Sequence, residues 1–164
     1  MKFDSHSYFK AFDHNYRVAY EEGCTYLGEG TSQEKAFQRL RKLLQKTVLS
    51  PQGTKLLDLG CGDGTNGLFL TGLGYHYIGV DIPETAIERA RQRAAAAGLE
   101  IEFCVGNILD LKEFQTGEFP IVLDSYCFHL LVLDTHRATY FHNVKRIVQE
   151  DGCLILLAQR DETA

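Results

Sequence analysis

The feature that most constrains this chain is an apolar segment that runs directly into a glycine-rich turn, LLDLGCGDG at residues 56–64. Its three alternate glycines, Gly60, Gly62 and Gly64, allow backbone dihedral angles that a side chain would forbid. A short helix is predicted directly afterwards, over residues 65–73. A buried strand, a tight turn and a helix form the first part of a βαβ unit. The pattern therefore predicts a parallel α/β sheet with a ligand near this turn.

The rest of the chain alternates strands and helices in the same manner. Further strands are predicted over residues 75–80, 101–105, 119–128 and 153–158, and further helices over residues 31–49, 83–97 and 135–148. The helix at residue 31 begins with a capping box, Thr31-x-x-Glu34. This alternation predicts right-handed crossovers and helices on both faces of the sheet. We therefore expect one α/β domain over residues 1–164, a three-layer sandwich built on a mostly parallel sheet.

The charged residues around the turn distinguish between two classes of ligand that such a turn can bind. Residues 62–67 match the dinucleotide fingerprint formally, and Asp81 ends the second strand, where a carboxylate can accept two hydrogen bonds from a ribose diol. However, the turn begins earlier, at Gly60, and both Asp58 and Asp63 flank it. A pyrophosphate would meet like charges there. The residues therefore favour an adenosine ligand that carries positive charge over a dinucleotide.

Four motifs resemble those of class I S-adenosylmethionine-dependent methyltransferases, in the same order: LLDLGCGDGTNGLFL, YIGVDIPETAIERAR, FCVGNILDL and FPIVLDSYCFHLL. The resemblance covers residues 55–158 and implies a Rossmann-like fold with S-adenosyl-L-methionine as cofactor, whose sulfonium and ammonium suit an acidic pocket. Members of this class are similar in having a further antiparallel hairpin after the fifth strand, whereas only residues 159–164 remain here. We therefore expect a five-stranded sheet without the hairpin, either because the chain is trimmed or because the natural sheet is short. In the second case we expect a homodimer that covers the apolar edge of the fifth strand.

The resemblance implies that the glycine-rich turn holds the methionine part of the cofactor. Asp58, Gly60 and Gly62 would contact that part directly, while Gly64 shapes the same turn. Cys61 lies between these residues and is included in the predicted cofactor site.

The adenosine part would lie against residues that follow the second and third strands. Asp81 would bind the ribose hydroxyls, and Ile82 would pack on the adenine. Asn107 stands where many members have Asp, and with Ile108 it would contact the adenine edge, because an amide both donates and accepts. Two residues at the end of the fourth strand would border the methyl group and the substrate: Asp124 and Ser125.

One histidine is a candidate catalytic base. His129 follows the fourth strand, close to the expected position of the methyl group, and an imidazole can remove a proton near neutral pH. The alternative is that His129 hydrogen-bonds the backbone and positions the following loop. Cys127 is interpreted as a core residue, because apolar surroundings raise a thiol pKa. His136 and His142 are six positions apart on one predicted helix, so they do not share a face, and no metal site is predicted.

Residues 1–30 form a predicted aromatic cap, distinct from the α/β core of residues 31–164. Aromatic residues recur every four positions on one helical stripe: Tyr8, Phe12, Tyr16 and Tyr20. The helix either covers one side of the sheet or closes as a lid over the substrate. In the second case Tyr16 and Tyr20 would line the substrate site, and Arg17 would reach the cofactor's carboxylate.

Composition and charge exclude several other classes of protein. The net charge is −5 and no run of Lys or Arg is present, so binding of bare nucleic acid is not expected. No apolar stretch is long enough to span a membrane. The five cysteines form no C-x-x-C pair, which indicates a reducing compartment and a cytoplasmic location.

The sequence thus predicts an S-adenosylmethionine-dependent methyltransferase that acts on the oxygen, nitrogen or sulfur of a small molecule by in-line transfer. Two alternatives stay open. One is a non-catalytic domain of the same fold that serves as a partner or scaffold. The other is aminopropyl transfer from a decarboxylated cofactor, which would require acidic residues around a polyamine channel.

Overall fold

The computed structural model describes residues 5–24, 33–47 and 49–158. The predicted cap at Thr31 lies outside these residues. Within them the chain forms five helices and five strands: α1 (Ser5–Glu21), α2 (Gln33–Leu44), β1 (Lys55–Leu59), α3 (Thr65–Gly72), β2 (His76–Asp81), α4 (Glu84–Ala96), β3 (Glu102–Val105), β4 (Phe119–Ser125), α5 (Asp134–Ile147) and β5 (Val148–Leu157). No helix in the described part of the chain is long and apolar enough to cross a membrane.

The five strands form one parallel sheet in the order β3-β2-β1-β4-β5. Leu57 of β1 pairs with Ile78 on one side and with Val122 on the other, so β1 lies at the centre. The chain first builds the sheet from β1 towards β3 and then returns to add β4 and β5. Strand order therefore reverses between β1 and β4, which is where open α/β sheets bind their ligands. This topology confirms the predicted Rossmann-like α/β fold.

Alternation along β1 sends its side chains to two separate hydrophobic cores. Leu56 joins the core that includes Leu70 of α3 and Ile87 of α4. Leu57 joins the opposite core, where Tyr140 of α5 packs. Helices therefore cover both faces of the sheet, as expected for a three-layer sandwich.

Two strand ends differ from the prediction. The fourth strand was expected to continue to residue 128 but ends at Ser125, because the Asp124 carboxylate accepts the backbone N–H groups of Cys127 and Phe128. These bonds curl the chain into a short 3-10 helix, Phe128–Leu130. The fifth strand was expected to begin at residue 153 but begins at Val148, with an irregular register against the start of β4. β5 lies at one edge of the sheet, and no described residue forms a strand beyond it.

Candidate active site

The glycine-rich turn lies directly above the centre of the sheet. It begins where β1 ends, and the N–H groups of Gly60 and Cys61 both donate to the carbonyl of Val80 in β2, at 2.8 and 3.1 Å. Gly60 has a φ of +77°, and a Cβ at this position would overlap the side chain of Cys127. The residue is therefore glycine for two reasons, its dihedral angle and the close approach of the loop that follows β4.

Asp81 connects the end of β2 to the same turn. One carboxylate oxygen accepts the N–H of Gly62 and the other accepts the N–H of Ile82, both at 2.7 Å. Burial raises the Asp81 pKa to about 6, although both hydrogen bonds act in the opposite direction. Each oxygen can still accept a further donor. The carboxylate is thus oriented by the backbone and retains the capacity to accept two hydroxyl groups.

Asp58 lies beneath the turn and is completely buried. Its Oδ2 atom accepts hydrogen bonds from the Tyr77 hydroxyl at 2.6 Å and from the Asn66 amide at 3.3 Å, whereas its Oδ1 atom has no partner. The Asp58 pKa is raised to about 7, mainly by burial and in addition by the nearby Asp124 and Asp81 carboxylates, while the two hydrogen bonds act in the opposite direction. The site therefore holds a buried acidic oxygen without a hydrogen-bond donor.

Asp63 contributes less free negative charge than its place in the sequence indicates. Arg93 of α4 forms an ion pair with Asp63 Oδ1 at 2.9 Å, and the Thr65 hydroxyl donates to the same oxygen at 2.8 Å. The guanidinium also donates to the Asp63 carbonyl and the Thr65 hydroxyl. Repulsion of a pyrophosphate by Asp63 is consequently weaker than predicted, and the acidic character of the site rests on Asp58 and Asp81.

Helix α1 places two tyrosines over this turn. The Tyr16 hydroxyl lies against Gly62, where it would be 2.6 Å from an added Cβ. Burial raises the Tyr16 pKa, with further increases from the Asp81 and Asp63 carboxylates. Tyr20 packs beside Tyr16, with 5.9 Å between ring centroids, and its buried hydroxyl has no hydrogen-bond partner. The predicted cap helix therefore contacts the glycine-rich turn itself.

Arg17, by contrast, does not point into the site. Its side chain is 61 % exposed and pairs with Asp13 of the same helix at 2.8 Å. The expectation that Arg17 reaches a cofactor carboxylate therefore does not match this arrangement.

The loop that follows β3 approaches Asp81 through the backbone. The N–H of Gly106 donates to the Asp81 carbonyl at 2.8 Å, and this bond places Asn107 next to the end of β2. The Asn107 side chain accepts the N–H of Leu109 at 2.9 Å, closing a local turn. Ile108 is buried in the core on the α5 side of the sheet, so its side chain belongs to the core, and its carbonyl accepts the Asn143 amide at 3.3 Å.

At the end of β4, Asp124 holds the following loop. Its carboxylate is completely buried and also accepts the Tyr140 hydroxyl, at 2.9 Å. Burial raises the Asp124 pKa. Ser125, next in the chain, is partly buried and ends the strand. Asp124 is thus connected to the backbone and to α5, and its contact with a cofactor or substrate stays a prediction.

His129 lies on the short 3-10 helix and is exposed. Its ring meets the edge of Tyr126, with 6.2 Å between centroids. Tyr126 has a φ of +69°, a backbone conformation that residues other than glycine rarely adopt. Its N–H donates to the Leu157 carbonyl of β5 at 2.8 Å, and this bond helps to hold the unusual conformation. Such strain is found preferentially at functional sites.

The residues fit an S-adenosylmethionine cofactor in their chemistry. Among the described residues, three buried oxygen atoms near the turn have no hydrogen-bond partner: Asp58 Oδ1, Asp63 Oδ2 and the Tyr20 hydroxyl. A buried acceptor without a donor costs free energy, which a ligand with N–H and O–H donors recovers. The ammonium and ribose hydroxyls of S-adenosylmethionine are donors of this kind.

Sequence reasoning missed the residues that hold the acidic groups in place. Tyr77 binds Asp58, Arg93 pairs with Asp63, and Tyr140 binds Asp124. In the sequence, Tyr77 and Tyr140 look like ordinary core aromatics, and Arg93 looks like a charge on the exposed face of a helix. No local pattern distinguishes them, because each partner is distant in the chain.

Comparison with known proteins identifies the family. A profile described as "Methyltransferase domain" matches residues 56–152. An uncharacterised methyltransferase of Schizosaccharomyces pombe is 32 % identical over 103 residues, which is 63 % of this chain and 70 % of that protein. A 2-heptyl-1-hydroxyquinolin-4(1H)-one methyltransferase of Mycobacteroides abscessus is 31 % identical over 103 residues, 62 % of this chain and 44 % of that protein.

Solved structures are similar as well. The crystal structure of an S-adenosylmethionine-dependent methyltransferase of Methanosarcina mazei superposes with a TM-score of 0.64 and 26 % identity, covering 70 % of this chain and 55 % of that one. The chain thus spans about half the length of this protein. It belongs to the methyltransferase domain family, and it is an S-adenosylmethionine-dependent methyltransferase domain of class I.

Proposed function

We propose that this chain transfers the methyl group of S-adenosylmethionine to the oxygen, nitrogen or sulfur of a small molecule. The observation that carries the proposal is the hydrogen bond from the Gly62 N–H to Asp81, which joins the end of β2 to the turn after β1. This turn lies next to the point where strand order reverses, and the Tyr16 hydroxyl covers it at Gly62. This arrangement combines an oriented carboxylate, a glycine-rich turn that a neighbouring group can approach closely and a covering aromatic helix. These are the requirements of an adenosine ligand with a positively charged tail.

The chain's own residues supply position. Asp81 would accept the two ribose hydroxyls, and Ile82 would pack against the adenine, with Asn107 and the backbone of Ile108 at its edge. Residues 58–64 would hold the methionine part, the unpartnered Asp58 Oδ1 accepting from the ammonium. When bound, the cofactor supplies an electrophilic methyl group on a sulfonium. Because the reaction is an in-line displacement, alignment of the acceptor with that methyl is the main task of the protein.

His129 would remove the proton from the acceptor. Its exposed ring can exchange protons with solvent, and it follows the end of β4, where Asp124 and Ser125 border the acceptor in this proposal. The contact with Tyr126 orients the ring. A His129→Gln variant that kept S-adenosylhomocysteine binding but lost turnover on acceptors that must give up a proton, while still methylating acceptors that are already ionised, would support this role. Unchanged turnover would assign His129 to loop packing.

The acceptor would have an apolar body. Three large apolar side chains are exposed on the loop after β4: Tyr126 at 38 %, Leu130 at 37 % and Val132 at 58 %. Together with Tyr16 and Tyr20 they would form the walls of an apolar acceptor site. The name of the Mycobacteroides relative, which gives an alkylated hydroxyquinolone as its substrate, supports the same class.

The proposal includes location and assembly. All five cysteines are free thiols, which supports a reducing, cytoplasmic location. The negative net charge supports a small-molecule rather than a nucleic-acid partner. A homodimer through the edge of β5 stays part of the proposal, and sedimentation of the purified chain tests it.

The cofactor is tested by calorimetric titration with S-adenosylhomocysteine, with NAD as comparator. We expect binding of S-adenosylhomocysteine only. Asp81→Ala should weaken this binding at least about tenfold, since two hydrogen bonds to a charged group are lost. Asp110→Ala, which removes an exposed carboxylate paired with Lys112, is the matched control and should bind normally. A folded wild-type chain that does not bind would refute the proposal; binding without turnover on a broad panel of acceptors would favour a non-catalytic partner domain.

A further inference from the structure

Helix α4 begins without a cap of its own. Its N-cap residue is Pro83, whose side chain accepts no hydrogen bond, so the first N–H groups of the helix need an acceptor from elsewhere. Asp13 of α1 supplies it: its Oδ1 atom accepts the Thr85 N–H at 3.0 Å. The two residues are 72 positions apart in the chain. Asp13 therefore accepts an N–H group at the start of α4, as an N-cap residue does, although it belongs to a different helix.

Asp13 also lies next to the residues that cover the glycine-rich turn. It precedes Tyr16 by three positions, which puts both side chains on the same side of α1. Tyr16 reaches Gly62, while Thr85 follows closely on Asp81 and Ile82, the predicted adenosine contacts. One hydrogen bond thus joins the covering helix to the segment that carries the predicted ribose-binding carboxylate.

The carboxylate of Asp13 is charged at neutral pH. Partial burial raises its pKa, but the hydrogen bonds from Thr85 and Arg17 outweigh burial, so the pKa lies below its ordinary value. A negative charge is favourable at the N-terminus of a helix, because the helix dipole is positive there. Arg17 binds the other oxygen, Oδ2, at 2.8 Å and leaves the Thr85 contact intact.

We propose that Asp13 is a positioning residue for the cofactor: by capping α4 from α1, it holds Tyr16 over the glycine-rich turn and keeps the bound cofactor in place. The inference rests on the proposed function, since it concerns the same site. Asp13 touches neither cofactor nor acceptor in this role. Its effect should therefore appear in cofactor retention and not in the chemistry of transfer.

The test measures the dissociation constant and the dissociation rate of S-adenosylhomocysteine with the full chain. Asp13→Ala removes the cap and should raise the dissociation constant about tenfold, mainly through faster dissociation. Asp13→Asn should bind within about twofold of the wild type, because its amide oxygen can still accept the Thr85 N–H. Arg17→Ala, which removes only an exposed ion pair, should also stay within about twofold.

The outcomes separate this inference from the proposed function. A wild-type chain that does not bind S-adenosylhomocysteine refutes the proposed function. A wild-type chain that binds, with Asp13→Ala binding equally well, refutes the role of Asp13 even where the variant melts at a lower temperature. If Asp13→Ala does not fold, Asp13→Glu keeps the charge but shifts the carboxylate by one methylene. Weaker binding by Asp13→Glu, with binding by Asp13→Asn unaffected, supports the inference. Normal binding by both variants, together with a Thr85 N–H that is unprotected in hydrogen exchange, overturns it.

Discussion

The hydrogen bond from Tyr77 to Asp58 leads to a prediction about stability and its dependence on pH. The hydroxyl donates to a completely buried carboxylate at 2.6 Å, and Tyr77 itself is 2 % exposed. Tyr77→Phe keeps the ring and removes only this donor. At about pH 8, where Asp58 is ionised, loss of a hydrogen bond to a charged group should cost about 2 kcal/mol of unfolding free energy.

The sign of the pH dependence follows from the Asp58 pKa. Burial raises this pKa to about 7 in the folded chain, from an ordinary value of 3.8, so the carboxyl group favours folding at low pH and this contribution is lost as pH rises through 7. The Tyr77 hydroxyl lowers the pKa and so limits that loss. Without it, the variant should lose more stability than the wild type between about pH 5 and pH 8. At about pH 5, where the carboxyl is neutral, the cost should fall to about 1 kcal/mol.

Urea unfolding followed by circular dichroism at both pH values measures these differences. For a chain of this size, about 2 kcal/mol corresponds to a lowering of Tm by roughly 4–8 °C. Tyr75→Phe is the matched control, because Tyr75 is also buried but its hydroxyl donates to no carboxylate among the described residues. An equal destabilisation of Tyr77→Phe at both pH values would refute the assignment of the effect to ionised Asp58.

Two further predictions concern Tyr126 and Arg93. Tyr126→Gly should be more stable than Tyr126→Ala by about 1 kcal/mol in urea unfolding, because glycine adopts a φ of +69° without strain; an alanine variant of equal stability would contradict this. Arg93→Met leaves Asp63, 5 % exposed, without its ion pair and should cost about 2–4 kcal/mol. Addition of Asp63→Asn should recover most of that loss in a double-mutant cycle, and independent, additive effects would show that the pair is not coupled.

The order of the secondary structure elements could be predicted because its signals are local. Glycine turns, helix caps and the period of apolar residues lie within a few positions of the elements they define. The ends of β4 and β5 could not be predicted in the same way. β4 ends early because the buried carboxylate of Asp124 accepts hydrogen bonds from the backbone N–H groups of Cys127 and Phe128. The apolar pattern of FPIVLDSYCF continues through this bend, so it does not show where the strand ends.

The candidate site shows the same division. The glycine-rich turn and Asp81 stand out in the sequence because a tight turn after a strand and an acidic residue after the next strand are local requirements of an adenosine site. The net charge of the site cannot be read from the sequence in the same way. From the sequence, Asp63 looks like a second free carboxylate, but in the fold it forms an ion pair with Arg93. Arg17 looks like a cofactor ligand, but in the fold it forms an ion pair with Asp13.

By itself, the sequence determined that this chain forms a parallel α/β sheet with an acidic, glycine-rich turn above its first strand. The tertiary structure alone decided which of those acidic groups stay unpartnered. It also decided that α1 docks on α4, through a bond between residues 72 positions apart. The reason is physical: dihedral preferences and hydrophobic periodicity act between near neighbours, whereas burial and the pairing of charges depend on segments that meet only when the sheet has formed.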